Sequence, residues 1–162
     1  MPSARSEEPA LTVVLPSAAD TEQLAMRLAG LLHPGDTVLL EGPIGAGKTH
    51  FARALIRARL GRAEDVPSPT FTLVQTYGPA EAEIWHADLY RLGHPDEVWE
   101  LGLDEAFSTA ICLVEWPDRL GRHVPPDALR LRLADHGDGR VALLSGGRAG
   151  LLRTLKAALA DA

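Results

Sequence analysis

Cysteine occurs once, at Cys112, so the chain can close no internal disulfide and has no cysteine cluster from which to build a zinc site. A reducing, cytoplasmic setting is the default that follows. Long apolar runs are also missing: Ile111 to Val114 is typical, far shorter than a membrane helix requires. Residues 1–10 carry Glu7 and Glu8 and no apolar block, which reads as a frayed polar tail rather than a signal peptide, followed by one domain over 11–162. Basic residues are in deficit, 16 against 22 acids, and a net charge of −6 argues against a domain whose main business is holding nucleic-acid phosphates. Lysine is scarcest: only Lys48 and Lys156 occur, the other basic residues being arginine. The six histidines show no H-x-x-x-H or clustered spacing, so none reads as a metal site. Trp85, Trp99 and Trp116 read as core material by default.

Apolar residues make up 46% of 162, enough for one packed core and against global disorder. Leu11 to Leu15 reads as a strand stopped by Pro16, and Asp20 as the cap of a helix through Leu32. Thr37 to Glu41 reads as a strand feeding a glycine-rich turn, and Lys48 to Leu60 as a helix closed by Gly61. Phe71 to Tyr77 and Ile84 to Leu89 form a predicted hairpin around Gly78-Pro79. Short helices are predicted over Pro95–Leu101 and Leu103–Phe107, and a buried strand over Ala110–Glu115. Strands Leu129–Leu133 and Val141–Ser145 flank a turn at His136–Gly139, and a helix over Leu151–Leu159 ends the pattern. The expected fold is α/β, three layers around a central mixed sheet.

The most informative segment is Gly42-Pro43-Ile44-Gly45-Ala46-Gly47-Lys48-Thr49, which satisfies G-x-x-x-x-G-K-S/T between a predicted strand and a predicted helix. Its glycines let backbone N–H groups turn toward phosphate oxygens, and the helix N-terminus faces the same anion. Lys48 suits the β- and γ-phosphates, and the Thr49 hydroxyl suits a Mg²⁺ shell. Such a loop works with a carboxylate at the end of a neighbouring strand. Glu115, after four apolar residues, fits a metal role; Asp88, ending Ile84-Trp85-His86-Ala87-Asp88, fits a metal or water-positioning role, with His86 interrupting its strand. Ser68-Pro69-Thr70 lies where a γ-phosphate sensor would sit.

GPIGAGKTHFARAL, SPTFTLV, HADLYRL and LVEWP follow one another in this order, and together they resemble the TsaE (YjeE) family, the bacterial ATPases of tRNA threonylcarbamoyladenosine biosynthesis. The resemblance runs over about residues 11–145. It implies a small P-loop NTPase fold and slow hydrolysis of ATP with Mg²⁺, in support of a TsaB–TsaD pair that modifies tRNA, the RNA being met indirectly through those partners. No membrane is involved on this reading. It further implies Lys48, Asp88, Thr70 and Glu115 as catalytic residues and Thr49 and Glu115 as metal ligands. Nucleotide contacts would run from Gly42 through Pro43, Ile44, Gly45, Ala46, Gly47, Lys48 and Thr49 to His50. Thr21, Trp116 and Gly139 would complete them, with Asp20 and Arg140 near the adenine. Pro43 and Ile44 depart from the family's usual polar residue and Leu, at positions that vary.

Two other functions compete: a small-molecule kinase, for which Gly121-Arg122-His123 is the lid-like stretch, and a non-catalytic docking module that ATP merely orders. A GTPase is disfavoured, since neither lysine stands in N-K-x-D.

Overall fold

Strand β2, Thr37–Glu41, shows no polar alternation, because it runs through the middle of a sheet covered on both faces. A computed structural model describes residues 11–61, 66 and 73–161. The tail expected over 1–10, the loop containing Thr70 and the first residues of the strand expected from Phe71 lie outside the described residues.

The elements are β1 (Leu11–Leu15), α1 (Ala18–Ala29), β2, α2 (Lys48–Leu60), β3 (Val74–Tyr77), β4 (Ile84–Asp88), α3 (Val98–Leu101), α4 (Leu103–Thr109), β5 (Ile111–Glu115), β6 (Leu129–His136), β7 (Gly139–Gly146) and α5 (Leu151–Ala160). Short 3-10 stretches at Pro95–Glu97 and Pro117–His123 bracket the α3–β5 segment. The seven strands form one mixed sheet in the order β1-β7-β6-β2-β5-β4-β3. β2, β4, β5 and β6 run parallel, and the outer pairs β1–β7, β6–β7 and β3–β4 are antiparallel.

Alternate residues of the central strands feed two cores. Val38, Leu40, Ile111 and Leu113 pack with Leu24 and Leu28 of α1, Phe51 and Leu55 of α2 and Leu155 of α5. Leu39, Cys112 and Val114 face the other way, against Val98, Leu103, Ala106 and Leu120. Helices thus cover both faces of a central mixed sheet, the expected three-layer α/β arrangement. Burial pushes the Cys112 thiol up to about 12, so it is a packing residue without thiolate reactivity.

Several boundaries differ from the sequence reading. Helix α1 is capped by Ser17, not Asp20: Asp20 sits one turn in, and its carboxylate accepts from the Ser17 backbone N–H at 3.0 Å and hydroxyl at 2.8 Å. The β6–β7 hairpin is longer than expected, with His136 pairing Gly139 across a two-residue turn. Trp99 is not core material: 62% of it is exposed, its ring edge-on to His123. No helix among the described residues is long and apolar enough to cross a membrane.

Candidate nucleotide site

The parallel strands β2, β4 and β5 end together, which brings the loop after Glu41, the carboxylate of Asp88 and that of Glu115 to one edge of the sheet. Asp88 and Glu115 stand directly opposite each other in the β4–β5 register, and Leu40 stands opposite Glu115 on the other side. This is the edge of an open α/β sheet where ligands bind.

The loop turns back over the sheet at Gly42, whose φ of +140° and absent side chain are both required: a Cβ there would lie 2.5 Å from the Leu133 carbonyl oxygen. Gly47, also left-handed, opens α2 without a side-chain cap, and the first turn of that helix holds no acid. Its first backbone N–H groups are therefore left for a ligand. Arg140 of β7 grips the loop from outside, donating from Nε to the Ala46 carbonyl and from a terminal nitrogen to the Gly45 carbonyl, each at 2.9 Å. In a trans peptide the Gly47 N–H points opposite to the Ala46 carbonyl, and so away from Arg140.

Lys48 is almost fully buried for a lysine, 6% exposed. Its ammonium donates to the Gly42 carbonyl and sits 3.7 Å from the centroid of the Trp116 ring. Burial lowers its pKa below the usual lysine value, while the carboxylates of Glu115, Asp88 and Asp118 pull it back up. Trp116 holds a left-handed backbone (φ 59°, ψ 53°) directly after Glu115, and its ring also meets Tyr90 at 5.0 Å. A bulky residue in that conformation is strained, and its placement over the lysine is the gain.

Thr49 reaches across to β5: its hydroxyl donates to the Glu115 carboxylate at 2.9 and 3.0 Å. Glu115, 2% exposed, is also bonded from the sheet side by the buried His86, whose Nε2 lies 2.8 Å from Oε2. Asp88 accepts from the Tyr90 backbone N–H at 3.0 Å.

A cleft of about 460 Å³ gathers Ile44, Gly45, Gly47, Lys48, Thr49, His50, Asp88, Glu115 and Trp116. Ile44 stands 76% exposed at its rim. Gly42 lies just outside, in an adjoining recess that shares Lys48 and Trp116, and Pro43 accepts from the Ala46 N–H within the loop turn. A further recess joins Thr21, Ala46, Gly47, His50, Gly139 and Arg140 beside the start of α2. Thr70 lies outside the described residues. The lid-like stretch Gly121-Arg122-His123 is not over the cleft: Arg122 and His123 share a cavity with Gly35 and Thr37, where β2 begins.

Two residues matter more in the structure than their sequence positions suggest. His86 read as an interruption of a strand, yet period-two alternation puts it on the face of Asp88, one strand from Glu115. Arg140 entered only through resemblance, as an adenine-side residue; here its guanidinium holds the loop's carbonyls.

A parallel-strand edge, a glycine loop leading into an uncapped helix and a buried lysine beside paired carboxylates define the class of P-loop α/β proteins. The family model described as threonylcarbamoyl adenosine biosynthesis protein TsaE matches residues 15–142, and the chain belongs to the TsaE family. The chain is 40% identical to the tRNA threonylcarbamoyladenosine biosynthesis protein TsaE of Rickettsia felis over 121 residues, 75% of this chain and 71% of that one. It is 38% identical to the Bacillus subtilis protein of the same name over 120 residues, 74% of each chain. The crystal structure of Bacillus subtilis YdiB superposes with a TM-score of 0.74 at 28% identity, covering 94% of this chain and 96% of that one.

Proposed function

We propose that the chain acts in tRNA threonylcarbamoyladenosine biosynthesis as a slow, Mg²⁺-dependent ATPase that supports turnover of a TsaB–TsaD pair in the cytoplasm. The observation that carries this reading is the Thr49–Glu115 hydrogen bond at the mouth of the uncapped helix α2, with Lys48 in the same cleft. The two side chains offer hard oxygen donors that suit Mg²⁺, an ion that takes few protein ligands and shares the rest of its shell with phosphates and water. Among the described residues no group of three or more His, Cys, Asp or Glu could hold a metal alone, which fits an ion whose shell is shared with phosphate oxygens and water. The ion, when bound, supplies charge neutralisation on the phosphates.

The chain's residues do the rest. The open N–H groups at the start of α2 bind phosphate oxygens, and Lys48 swings from the Gly42 carbonyl to the terminal phosphates. Thr49 Oγ1, while still donating to Glu115, would offer a lone pair to the ion. Asp88, across the register from Glu115, orients the attacking water, and Thr70 senses the terminal phosphate. Thr21, His50 and Gly139 line the recess that takes the base, and Trp116 screens Lys48 from water.

Hydrolysis of ATP by the purified protein, and its association with TsaB–TsaD in the presence and absence of ATP, test the reading. Slow hydrolysis that Lys48→Ala and Glu115→Ala each abolish, with ATP-dependent association, supports it. Efficient phosphoryl transfer to a small metabolite would establish a kinase instead. Glu115→Ala with hydrolysis and Mg²⁺ dependence intact would end the metal assignment.

A further inference from the structure

We propose that His86 is a positioning residue for Glu115: its Nε2–H fixes the carboxylate in the orientation that meets Thr49 and a phosphate-bound divalent cation. The inference rests on the nucleotide reading above and adds to it a residue that acts through Glu115.

His86 is fully buried and lies on the face of β4 that carries Ile84, within reach of the apolar layer formed by Leu113 and α2. Its neighbours on that face, Ile84 on β4 and Leu113 across the register on β5, are apolar. The imidazole instead spends its Nε2 on Glu115 Oε2 at 2.8 Å and leaves Nδ1 buried with no partner among the described residues. A buried ring nitrogen without a hydrogen bond costs about 1–3 kcal/mol, so packing stability gives no reason for a histidine here. Its one bond does.

An ionised carboxylate only accepts, so the bond to Glu115 is donated by Nε2–H. Thr49 Oγ1 reaches both carboxylate oxygens from the cleft side, and His86 reaches one of them from the sheet side. The two donors approach from different elements, 29 and 66 residues away in sequence, and together they hold the Glu115 carboxylate from two sides. Without His86 the carboxylate could rotate about its last bond, a soft two-fold torsion, and still keep Thr49. Groups that orient a metal-side ligand in this way carry about 10- to 100-fold in metal affinity when removed.

The experiment compares wild type, His86→Gln and His86→Asn. Glutamine places its amide N–H where Nε2 sits, and asparagine is too short to reach Glu115. Binding of ADP in the presence of a chelator is measured by calorimetry, and binding of Mn²⁺ to the ADP-loaded protein by electron paramagnetic resonance. The expected result is equal metal-free ADP affinity in all three proteins. Mn²⁺ binding should be about 10- to 100-fold weaker in His86→Asn, with most of the loss recovered in His86→Gln. His86→Asn binding Mn²⁺ as tightly as wild type would overturn the proposal, as would His86→Gln failing to recover. Wild type that binds no ADP, or no Mn²⁺ once ADP is bound, would instead overturn the nucleotide reading itself. A measurement on the unaltered protein guards against a variant that does not fold: the nitrogen resonances of His86 should show Nε2 protonated. Its Nε2 signal should move when Mg²⁺ is added to the ADP complex and stay put when ADP is added alone. The opposite tautomer, or indifference to Mg²⁺, would overturn the proposal.

Discussion

Helices α1 and α2 pack together in the same core, through Leu24 and Leu28 on one and Phe51 and Leu55 on the other, and they begin in opposite ways. Helix α1 completes itself: the Asp20 carboxylate returns to Ser17 and sits at the positive end of the helix. Helix α2 starts from a left-handed glycine with no cap, no acid and an ammonium brought inward beside its first turn. The first terminus adds stability and asks for nothing. The second lacks that closure within the protein, and its first N–H groups are open to an anion, the phosphate on the reading proposed above. Arg140 and Gly42 hold that unfinished end in shape, one by gripping the carbonyls of Gly45 and Ala46, the other by letting the loop pass the Leu133 carbonyl.

The sharpest way to break the contrast is Lys48→Met. The thioether keeps the stem's packing and removes a desolvated charge, whose pKa is already depressed by burial. ATP affinity should fall roughly 10- to 100-fold, the worth of about one charge-assisted bond. The melting temperature of the nucleotide-free protein should be no lower than wild type. Calorimetric titration and scanning calorimetry read the two effects, and a clear fall in melting temperature would mean that Lys48 is held for stability.

Next in size is Gly42→Ala. The new Cβ meets the Leu133 carbonyl oxygen at 2.5 Å in a backbone conformation that L-residues avoid, so unfolding free energy should drop by about 2–3 kcal/mol. Gly45→Ala is the control: among the described residues no atom lies within 4 Å of its Cβ, and only the left-handed backbone, about 1 kcal/mol, counts against it. Equal losses in chemical denaturation would show that conformation, and not the close approach to β6, fixes Gly42.

Much of this was legible before any coordinates, and the reason is distance along the chain. The strand, glycine loop, lysine and helix of 37–60 are local, so spacing alone specifies them, and the apolar run into Glu115 announces a buried central strand. The length of the β6–β7 hairpin was less legible, because Asp135, His136 and Gly139 have no strand preference and are paired by the twist of the flanking residues. The start of α1 was misread by three residues: Asp20 looks like a cap, but a Ser–x–x–Asp pair makes the serine the cap. The partnership of His86 with Glu115 was invisible, since only the sheet order places β4 beside β5. Trp99 misled for a similar reason: its helix is four residues long and presents it to solvent and to His123 rather than to the layer beneath.

A smaller test concerns the complete terminus. Asp20→Ala should cost about 1 kcal/mol of unfolding free energy, because the Ser17 N–H and hydroxyl both lose their acceptor. Thermal denaturation at neutral pH checks it, and no loss would show that α1 is held entirely by its core face and that the contrast with α2 is one of appearance.

The smallest expected effect lies away from the site, where Pro95–Glu97 packs on Pro117–His123. The Asp96 carboxylate accepts from His123 at 2.7 Å, with Arg122 at 3.8 Å and His94 at 3.9 Å. The His123 hydrogen bond, helped by the charges of Arg122, His94 and His123, lowers the Asp96 pKa from the ordinary value of 3.8. A carboxylate whose folded pKa lies below its unfolded one favours the native state above the unfolded value, and that contribution fades as pH falls through the folded value. Asp96→Asn removes the charge and keeps the shape. Wild type should therefore melt slightly higher than Asp96→Asn at pH 6, and the gap should close as pH is lowered past 3.8. The Asp96 side chain is more than half exposed and screened by salt, so the gap should also shrink as ionic strength rises. A gap that persists at acid pH and high salt would show that the amide fails for reasons of packing, and that the His123 contact, unlike the bonds around Glu115, does not depend on charge.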